Sequence, residues 1–227
     1  MSRRKQHVSA FIFDLDGTLI DSGQDIALSA NSVRIHFGLP ELPVPQVMEM
    51  IGDGVPTLLQ RVLAREMPQA DQSLLDEART AFDDHYSRHC LDHTRPFPGV
   101  LEVLRRFAGS PLMVATNKPR RFTEQMLDGL NLTAAFTRVV AGDDVQNKKP
   151  DPEMLHRCLE GFDLDPADVA VVGDSLNDLY AARAVGAVAV GCTFGLRPAS
   201  EIVAGKPDVL LNTFAELSEH FASRHML

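Results

Sequence analysis

Residues 11–22 read FIFDLDGTLIDS. The apolar run from Val8 to Phe13 predicts a short buried strand, which ends at two carboxylates separated by one residue and followed by a glycine. Alternate residues of an extended chain point the same way, so Asp14 and Asp16 could share one small space. Like charges held that close are costly unless a cation or a proton intervenes. The stretch therefore predicts either a cation-binding strand end or a polar exit into a turn.

Composition limits the classes of partner. The chain has 227 residues, 44% of them hydrophobic, which allows one or two domains with a sizeable core. Its 22 Lys and Arg against 31 Asp and Glu give a formal net charge of −9, so it lacks the basic excess that nucleic-acid binding needs. The three cysteines are isolated, and the apolar run after the basic segment 1–5 is too short for a signal peptide or a membrane span. We expect a cytoplasmic protein with no nucleic-acid or membrane partner.

The order of predicted elements divides the chain. Between residues 21 and 96 the pattern is helical, with predicted helices at 22–37, 44–51, 55–66 and 71–90. From Pro98 helices and strands alternate, with helices predicted at 98–107, 120–130, 151–161, 176–185 and 214–220 and further strands at 112–115, 139–141, 169–172, 187–190 and 208–211. Alternation of this kind is typical of a parallel sheet covered by helices on both faces. The sequence thus predicts an α/β fold. A doubly wound, Rossmann-like core, residues 1–20 and 97–227, is interrupted by an all-helical cap domain, residues 21–96.

Three further polar segments follow predicted strands, where ligands bind in this architecture. Thr116 and Asn117 end the strand at 112–115 and either contact phosphoryl oxygens or cap the next helix. The segment NKKPDP, residues 147–152, places lysines in a proline-stiffened loop, which could balance a phosphate or simply be solvated. In GDSLND, residues 173–178, Asp174 and Asp178 lie one helical turn apart, so both can face the same edge. Together with the first two aspartates they favour a hard-cation site such as Mg²⁺.

In this order and spacing, the four segments resemble the motifs of the haloacid dehalogenase superfamily. The helical insertion after the first strand is similar to that superfamily's first cap class, C1. Within the superfamily, the segments TNKP at 116–119, GDDVQNKKP at 142–150 and GDS at 173–175 look like the signatures of the bacterial phosphoglycolate phosphatase family.

The resemblance implies a Mg²⁺-dependent phosphomonoester hydrolase with an aspartyl-phosphate intermediate. The small phosphorylated metabolite on which it acts would be 2-phosphoglycolate, giving glycolate and phosphate. Asp14 would be the nucleophile, Asp16 the general acid and base, and Lys149 the balancing charge. The implied metal ligands are Asp14, Asp16, Asp174 and Asp178. The implied substrate contacts are Thr116 and Asn117 in the core and Gly52, Asp53 and Gly54 in the cap.

Two departures from the family pattern leave the substrate open. Asp53 stands between two glycines where an asparagine is expected, and the turn TFGLR, residues 193–197, replaces a tyrosine-rich one. The alternatives are a phosphosugar mutase like β-phosphoglucomutase, a phosphatase for sugar phosphates, nucleotides or pyrophosphate, and a non-enzymatic phospho-receiver module. A monomer and a homodimer are both compatible with the sequence. His85, His89 and His93 recur at metal-ligand spacing, but a solvated polar face is the favoured interpretation.

Overall fold

The predicted strands form one six-stranded parallel sheet in the structure, a computed structural model that describes residues 6–222. In chain order the strands are β1 (Ala10–Phe13), β2 (Leu112–Ala115), β3 (Arg138–Val140), β4 (Val169–Gly173), β5 (Val188–Cys192) and β6 (Val209–Leu211). Their spatial order is β3-β2-β1-β4-β5-β6, which places the first strand in the middle of the sheet. This is the predicted doubly wound α/β core.

Both faces of β1 are buried, because its alternate side chains enter two different apolar layers. Ala10 and Ile12 pack with small and aliphatic residues of β2 and β4. Phe11 and Phe13 enter an aromatic cluster on the other face, which includes Phe107, with its ring centroid 4.6 Å from that of Phe11. Burial on both faces explains why the strand reads as a continuous apolar run.

The helices of this first unit connect the strands in sequence. They are α5 (Val100–Arg106), α6 (Arg120–Gly129), α7 (Glu153–Leu159), α8 (Leu176–Val185), α9 (Ala199–Ala204) and α10 (Leu217–His220), numbered after the four helices of the second unit. Helix α9 was not predicted, and the first turn of the predicted helix at 214–220 is a 3₁₀ turn, Phe214–Glu216. A second, two-stranded parallel sheet joins Gln6–His7 to Phe221–Ala222.

The second unit is all helical, as predicted. It contains α1 (Gly23–His36), α2 (Val44–Met48), α3 (Val55–Leu63) and α4 (Gln72–His89). Helix α4 begins with Asp71 as its N-cap, whose side chain accepts a hydrogen bond from the backbone N–H of Leu74. It buries Ala78, Phe82 and Tyr86, which recur every four residues and so lie on one face of the helix. Helix α2 ends at Met48, three residues before its predicted end.

Contacts between Cα atoms separate the chain into two units, residues 1–20 with 96–227 and residues 21–95. The segments at which the chain passes between the units, Ile20–Asp21 and Arg95–Pro96, are short strands paired with each other. The predicted boundaries of independently folding domains stay predictions. Within residues 6–222, no helix combines the length and the hydropathy needed to cross a bilayer. The basic segment 1–5 lies outside the described residues.

Candidate active site

Three predicted aspartates converge at the carboxyl edge of the sheet. Phe13 is in register with Val114 of β2 and Val172 of β4, so the residues that follow these strands emerge side by side. Asp14 follows β1, Asp174 follows β4, and Asp178 lies in the first turn of α8. Each of the three offers a carboxylate oxygen, and these oxygens all lie within 4.8 Å of one another.

Two glycines leave space for the Asp174 carboxylate. A Cβ atom built on Gly17 would lie 2.1 Å from Oδ2 of Asp174, and one built on Gly195 would lie 2.3 Å from the same oxygen. Gly17 also has a φ of +80°, a backbone conformation that favours glycine. The backbone N–H of Leu196 donates to Asp174 Oδ2 at 2.6 Å. The 193–197 turn therefore holds this aspartate by its backbone, which makes the identity of its side chains less important for this contact.

Asp178 is fixed by the beginning of its own helix. Its Oδ2 accepts hydrogen bonds from the backbone N–H and the hydroxyl of Ser175, at 3.1 and 2.5 Å, in a capping box. A Cβ on Gly173 would lie 2.1 Å from Cγ of Asp178, so the neighbouring strand end must be a glycine for this approach. The other carboxylate oxygen, Oδ1, faces Lys149.

Lys149 is buried among acceptors. Its Nζ donates to the carbonyl oxygen of Ala115 and to Asp178 Oδ1, both at 2.6 Å, and lies 3.0 Å from Asp14 Oδ1. The backbone of Lys149 is in turn held by Asn117, whose carboxamide donates to its carbonyl oxygen and accepts from its N–H, each at 3.0 Å. The side chain of Asn117 thus positions the lysine, and its predicted contact with a phosphoryl group stays a prediction.

The loop that carries Lys149 is tied down at its other end by Arg120. The guanidinium of Arg120 pairs with the Asp144 carboxylate, which also accepts from the backbone N–H of Ala141 at 2.7 Å. The hydrogen bonds and charge of Arg120 hold the pKa of Asp144 below its ordinary value, against the opposing effect of burial. Thr116, the remaining predicted residue of this edge, is buried, and its Oγ1 accepts from the N–H of Lys118 at 3.3 Å.

Asp16 pairs with a lysine, Lys118, that the sequence motifs did not predict as its partner. Its two carboxylate oxygens accept from Nζ of Lys118 at 3.1 and 2.9 Å. The Lys118 side chain is only 6% exposed. The available signal was a lysine directly after a predicted polar strand end in an acidic protein, but the pairing spans 102 residues. The predicted role of Asp16 as a metal ligand is separate from this side-chain contact and stays a prediction.

Charge is unbalanced at this edge. Asp14, Asp16, Asp174 and Asp178 outnumber Lys118 and Lys149 by two negative charges. Burial raises the pKa of Asp14 to about 6, even though Lys149 opposes this shift. Burial, reinforced by the carboxylates of Asp14 and Asp178, raises the pKa of Asp174 well above its ordinary value. A divalent cation would correct the imbalance, and a set of carboxylate oxygens is the donor type that Mg²⁺ prefers.

The predicted cap residues belong to the second unit. Gly52, Asp53 and Gly54 form the connection between α2 and α3. The Asp53 carboxylate pairs with the guanidinium of Arg61 at 2.6 Å, so its charge is balanced within the unit. Arg61 also donates to the carbonyl oxygen of Met50 at 2.8 Å, which fixes the loop to α3. The predicted substrate contacts of this loop stay predictions.

The arrangement of the core matches a known family. Residues 11–192, which include all the core site residues discussed above except the 193–197 turn, match the model of the haloacid dehalogenase-like hydrolases. The chain belongs to this family. The predicted superfamily and fold class are thereby confirmed.

Relatives of this haloacid dehalogenase-like hydrolase are named phosphoglycolate phosphatase. The protein of that name from Chromobacterium violaceum is 38% identical over 215 residues, covering 93% of this chain and 96% of the relative. The one from Neisseria meningitidis serogroup A is 35% identical and covers 97% of this chain and 96% of the relative. A crystal structure of a predicted phosphoglycolate phosphatase from Haemophilus somnus superposes with a TM-score of 0.87 at 31% identity, covering 93% of this chain and 97% of that one.

These similarities confirm that the haloacid dehalogenase-like chain is an enzyme of the phosphatase kind, as predicted. They extend over both units, because the match with each relative spans nearly the whole chain. The sequence motifs named the residues at the sheet edge, but not the contacts that arrange them. Those contacts are the Lys118–Asp16 pair, the backbone hydrogen bond from Leu196 and the carboxamide clamp of Asn117.

Proposed function

We propose that the chain hydrolyses 2-phosphoglycolate to glycolate and phosphate, with Mg²⁺ and through an aspartyl-phosphate on Asp14. The observation that carries the proposal is the convergence of Asp14, Asp174 and Asp178 within 4.8 Å, with the ammonium of Lys149 beside Asp14. The substrate is inferred from the names of relatives that are 38% and 35% identical along nearly the whole chain.

Asp14 attacks first. One of its carboxylate oxygens forms a bond to phosphorus while the bond from phosphorus to the ester oxygen of the substrate breaks. Asp16 gives its proton to that departing oxygen, so glycolate leaves as the alcohol. Lys149 lies 3.0 Å from Asp14 Oδ1 and keeps the attacking carboxylate oriented.

In the second displacement Asp16 acts as the general base. Its carboxylate takes a proton from a water molecule, whose oxygen attacks phosphorus. The bond between phosphorus and Asp14 breaks, which releases inorganic phosphate and returns Asp14 to its carboxylate form. Dividing hydrolysis into two displacements replaces one difficult step with two easier ones.

The same edge would hold the phosphoryl group and the cation. Asp14, Asp174 and the backbone carbonyl of Asp16 would hold Mg²⁺, with Asp178 close by. When bound, Mg²⁺ neutralises charge that develops on the phosphoryl oxygens. Thr116 and Asn117 would contact those oxygens from the end of β2, and the Gly52–Gly54 loop would contact the rest of the substrate. We further propose that the enzyme works in the cytoplasm.

The test is phosphate release from a panel of esters by the purified protein. The panel contains 2-phosphoglycolate, hexose phosphates, nucleotides and pyrophosphate, each assayed with Mg²⁺ and with a chelator. We expect the highest kcat/KM with 2-phosphoglycolate and loss of turnover in the chelator. A clear preference for another ester would overturn the substrate. Isomerisation of a hexose phosphate that needs a sugar-bisphosphate activator, with no accumulation of inorganic phosphate, would indicate a mutase like β-phosphoglucomutase. Undiminished turnover in the chelator would exclude the role of Mg²⁺.

A further inference from the structure

The ammonium of Lys118 lies in a position that the proposed chemistry leaves without a role. Its Nζ contacts both oxygens of the Asp16 carboxylate, at 2.9 and 3.1 Å, and its side chain is 6% exposed. Burying an ammonium is costly unless charged or polar groups compensate it, so such a group is seldom incidental. The second buried ammonium of the site, Lys149, contacts different groups, Asp14, Asp178 and the carbonyl oxygen of Ala115.

We propose that Lys118 binds the carboxylate of the leaving group and makes the enzyme selective for phosphate esters of small hydroxy acids. This inference rests on the proposed function, because it takes Asp16 as the group that protonates the ester oxygen. An ammonium within hydrogen-bond distance of Asp16 is then adjacent to the atoms bonded to that oxygen. In 2-phosphoglycolate the carboxylate carbon is two bonds from the ester oxygen, which brings the carboxylate to the ammonium.

The contact between Lys118 and the substrate carboxylate is needed for electrostatic reasons. A carboxylated ester carries its extra negative charge toward an edge where four aspartates exceed two lysines. Without a cation next to Asp16, that charge would face Asp16 directly, at a cost typical of like charges held close together. A lysine ammonium has three N–H groups on a flexible stem, so its contacts can rearrange to include a substrate carboxylate beside Asp16.

The experiment compares two esters that differ mainly in charge. One is 2-phosphoglycolate, and the other is 2-phosphoglycolamide, in which a neutral amide replaces the carboxylate. Both are assayed with the wild-type enzyme and with Lys118→Met, Lys118→Arg and the control Lys148→Met, which removes a neighbouring exposed lysine. The readout is the ratio of kcat/KM for the two esters, because a general loss of activity changes both values and cancels in the ratio.

We expect the wild-type enzyme to prefer the carboxylate by about 10- to 100-fold, the range for a hydrogen bond to a charged group. Lys118→Met should bring the ratio close to one, chiefly through KM, while Lys118→Arg should retain part of the preference. Lys148→Met should keep the wild-type ratio. Circular dichroism and thermal unfolding check that each variant is folded.

Three outcomes would overturn the inference. In the first, the wild-type enzyme turns over both esters equally. In the second, Lys118→Met lowers both values by the same factor, which assigns Lys118 a role in orienting Asp16 alone. In the third, Lys148→Met changes the ratio as much as Lys118→Met does. Failure of the proposed function looks different, since the wild-type enzyme would then release no phosphate from 2-phosphoglycolate but would hydrolyse another ester of the panel.

Discussion

Asp25 in the helical unit and Asp174 in the sheet unit are both almost completely buried, with 1% and 3% exposure, but their surroundings are opposite. The Asp25 carboxylate accepts from the backbone N–H and hydroxyl of Thr94, at 2.8 and 2.7 Å, and from the backbone N–H of His93 at 3.0 Å. Asp174 accepts from the 193–197 turn but faces two other carboxylates. The pKa of Asp25 is lowered, because these hydrogen bonds outweigh its burial, whereas the pKa of Asp174 is raised.

The difference indicates that the charge of Asp25 stabilises the fold, whereas that of Asp174 belongs to a site for a ligand. Around Asp25 the fold itself supplies the donors that a buried carboxylate needs. The charge of Arg34 in α1, which is fully buried, is also balanced by the fold, because its Nε donates to the carbonyl oxygen of Pro40 at 2.7 Å and its Nη1 pairs with Glu66 at 3.0 Å, although its Nη2 has no hydrogen-bond partner among the described residues. Around Asp174 the chain assembles excess negative charge that a bound cation or a proton must compensate. Strongly shifted pKa values of this kind are typical of functional sites.

The largest effect is expected for Asp14→Asn, which removes the proposed nucleophile from the unbalanced edge. We expect kcat for phosphate release to fall by at least about a thousandfold, as is usual when a nucleophile is deleted. The fold should remain intact, because the variant also removes one of the repelling charges. The measurement is steady-state hydrolysis together with thermal unfolding. The control is Asp143→Asn, an exposed carboxylate that accepts from the backbone N–H of Arg120 at 2.7 Å. Retention of more than a small fraction of turnover would exclude Asp14 as the nucleophile.

Asp25→Asn should produce the next largest effect, but on stability. The amide loses charge-assisted hydrogen bonds in a buried position, so we expect the free energy of unfolding to fall by about 2–3 kcal/mol. Urea denaturation measures this change, and Asp84→Asn on the exposed side of α4 is the matched control. If the two variants were equally stable, Asp25 would not be the structural charge that its contacts indicate.

The contributions of Asp14 and Asp25 to stability should depend on pH in opposite directions. In metal-free protein the pKa of Asp14 is raised from 3.8 to about 6, so the folded state holds this proton more tightly than the unfolded state. The contribution of Asp14 to stability therefore decreases as pH rises from about 4 to about 6. Asp25 has a lowered pKa, so its contribution is present above its ordinary value of 3.8 and is lost as pH falls through the folded value.

Urea denaturation of dialysed protein between pH 4 and pH 8 follows both contributions. We expect Asp14→Asn to gain stability over the wild type as pH rises through about 6, and Asp25→Asn to have its largest deficit at neutral pH. Added Mg²⁺ should remove the first effect by stabilising the wild type. Parallel curves for the wild type and Asp14→Asn in metal-free buffer would contradict the assignment of excess charge to this edge.

The two regions also differ in how far the sequence predicts them. Strand β2 and helix α8 have the predicted bounds, because apolar runs and periodicity are local signals. Helix α9 was missed, since six residues carry too little periodicity. The motifs place Asp14 and Asp174 at strand ends and Lys149 in the loop after β3, but Lys118 with Asp16 and Asn117 with Lys149 are pairings across the fold. No local pattern specifies which of several lysines reaches which carboxylate.

The smallest effect on activity and stability is expected for the histidines of α4. Their spacing resembles that of metal ligands, but in the structure they contact other residues of the helical unit. The rings of His85 and His89 lie 4.3 Å apart beside a cavity of about 210 Å³ in the helical unit. Nδ1 of His85 is 2.9 Å from the Ser29 hydroxyl, and Nδ1 of His89 is 2.8 Å from Asp92. As around Asp25, the partners of these side chains come from the fold itself.

Replacing both histidines by glutamine should therefore leave kcat/KM for the best ester of the panel within about twofold. It should lower the free energy of unfolding by about 1 kcal/mol or less, the usual range for partly exposed pairs. Steady-state kinetics and urea denaturation, with Gln72→Ala at the start of α4 as the control, would detect a larger role. A tenfold loss of turnover would mean that the helical unit, like the sheet edge, contains side chains the reaction needs.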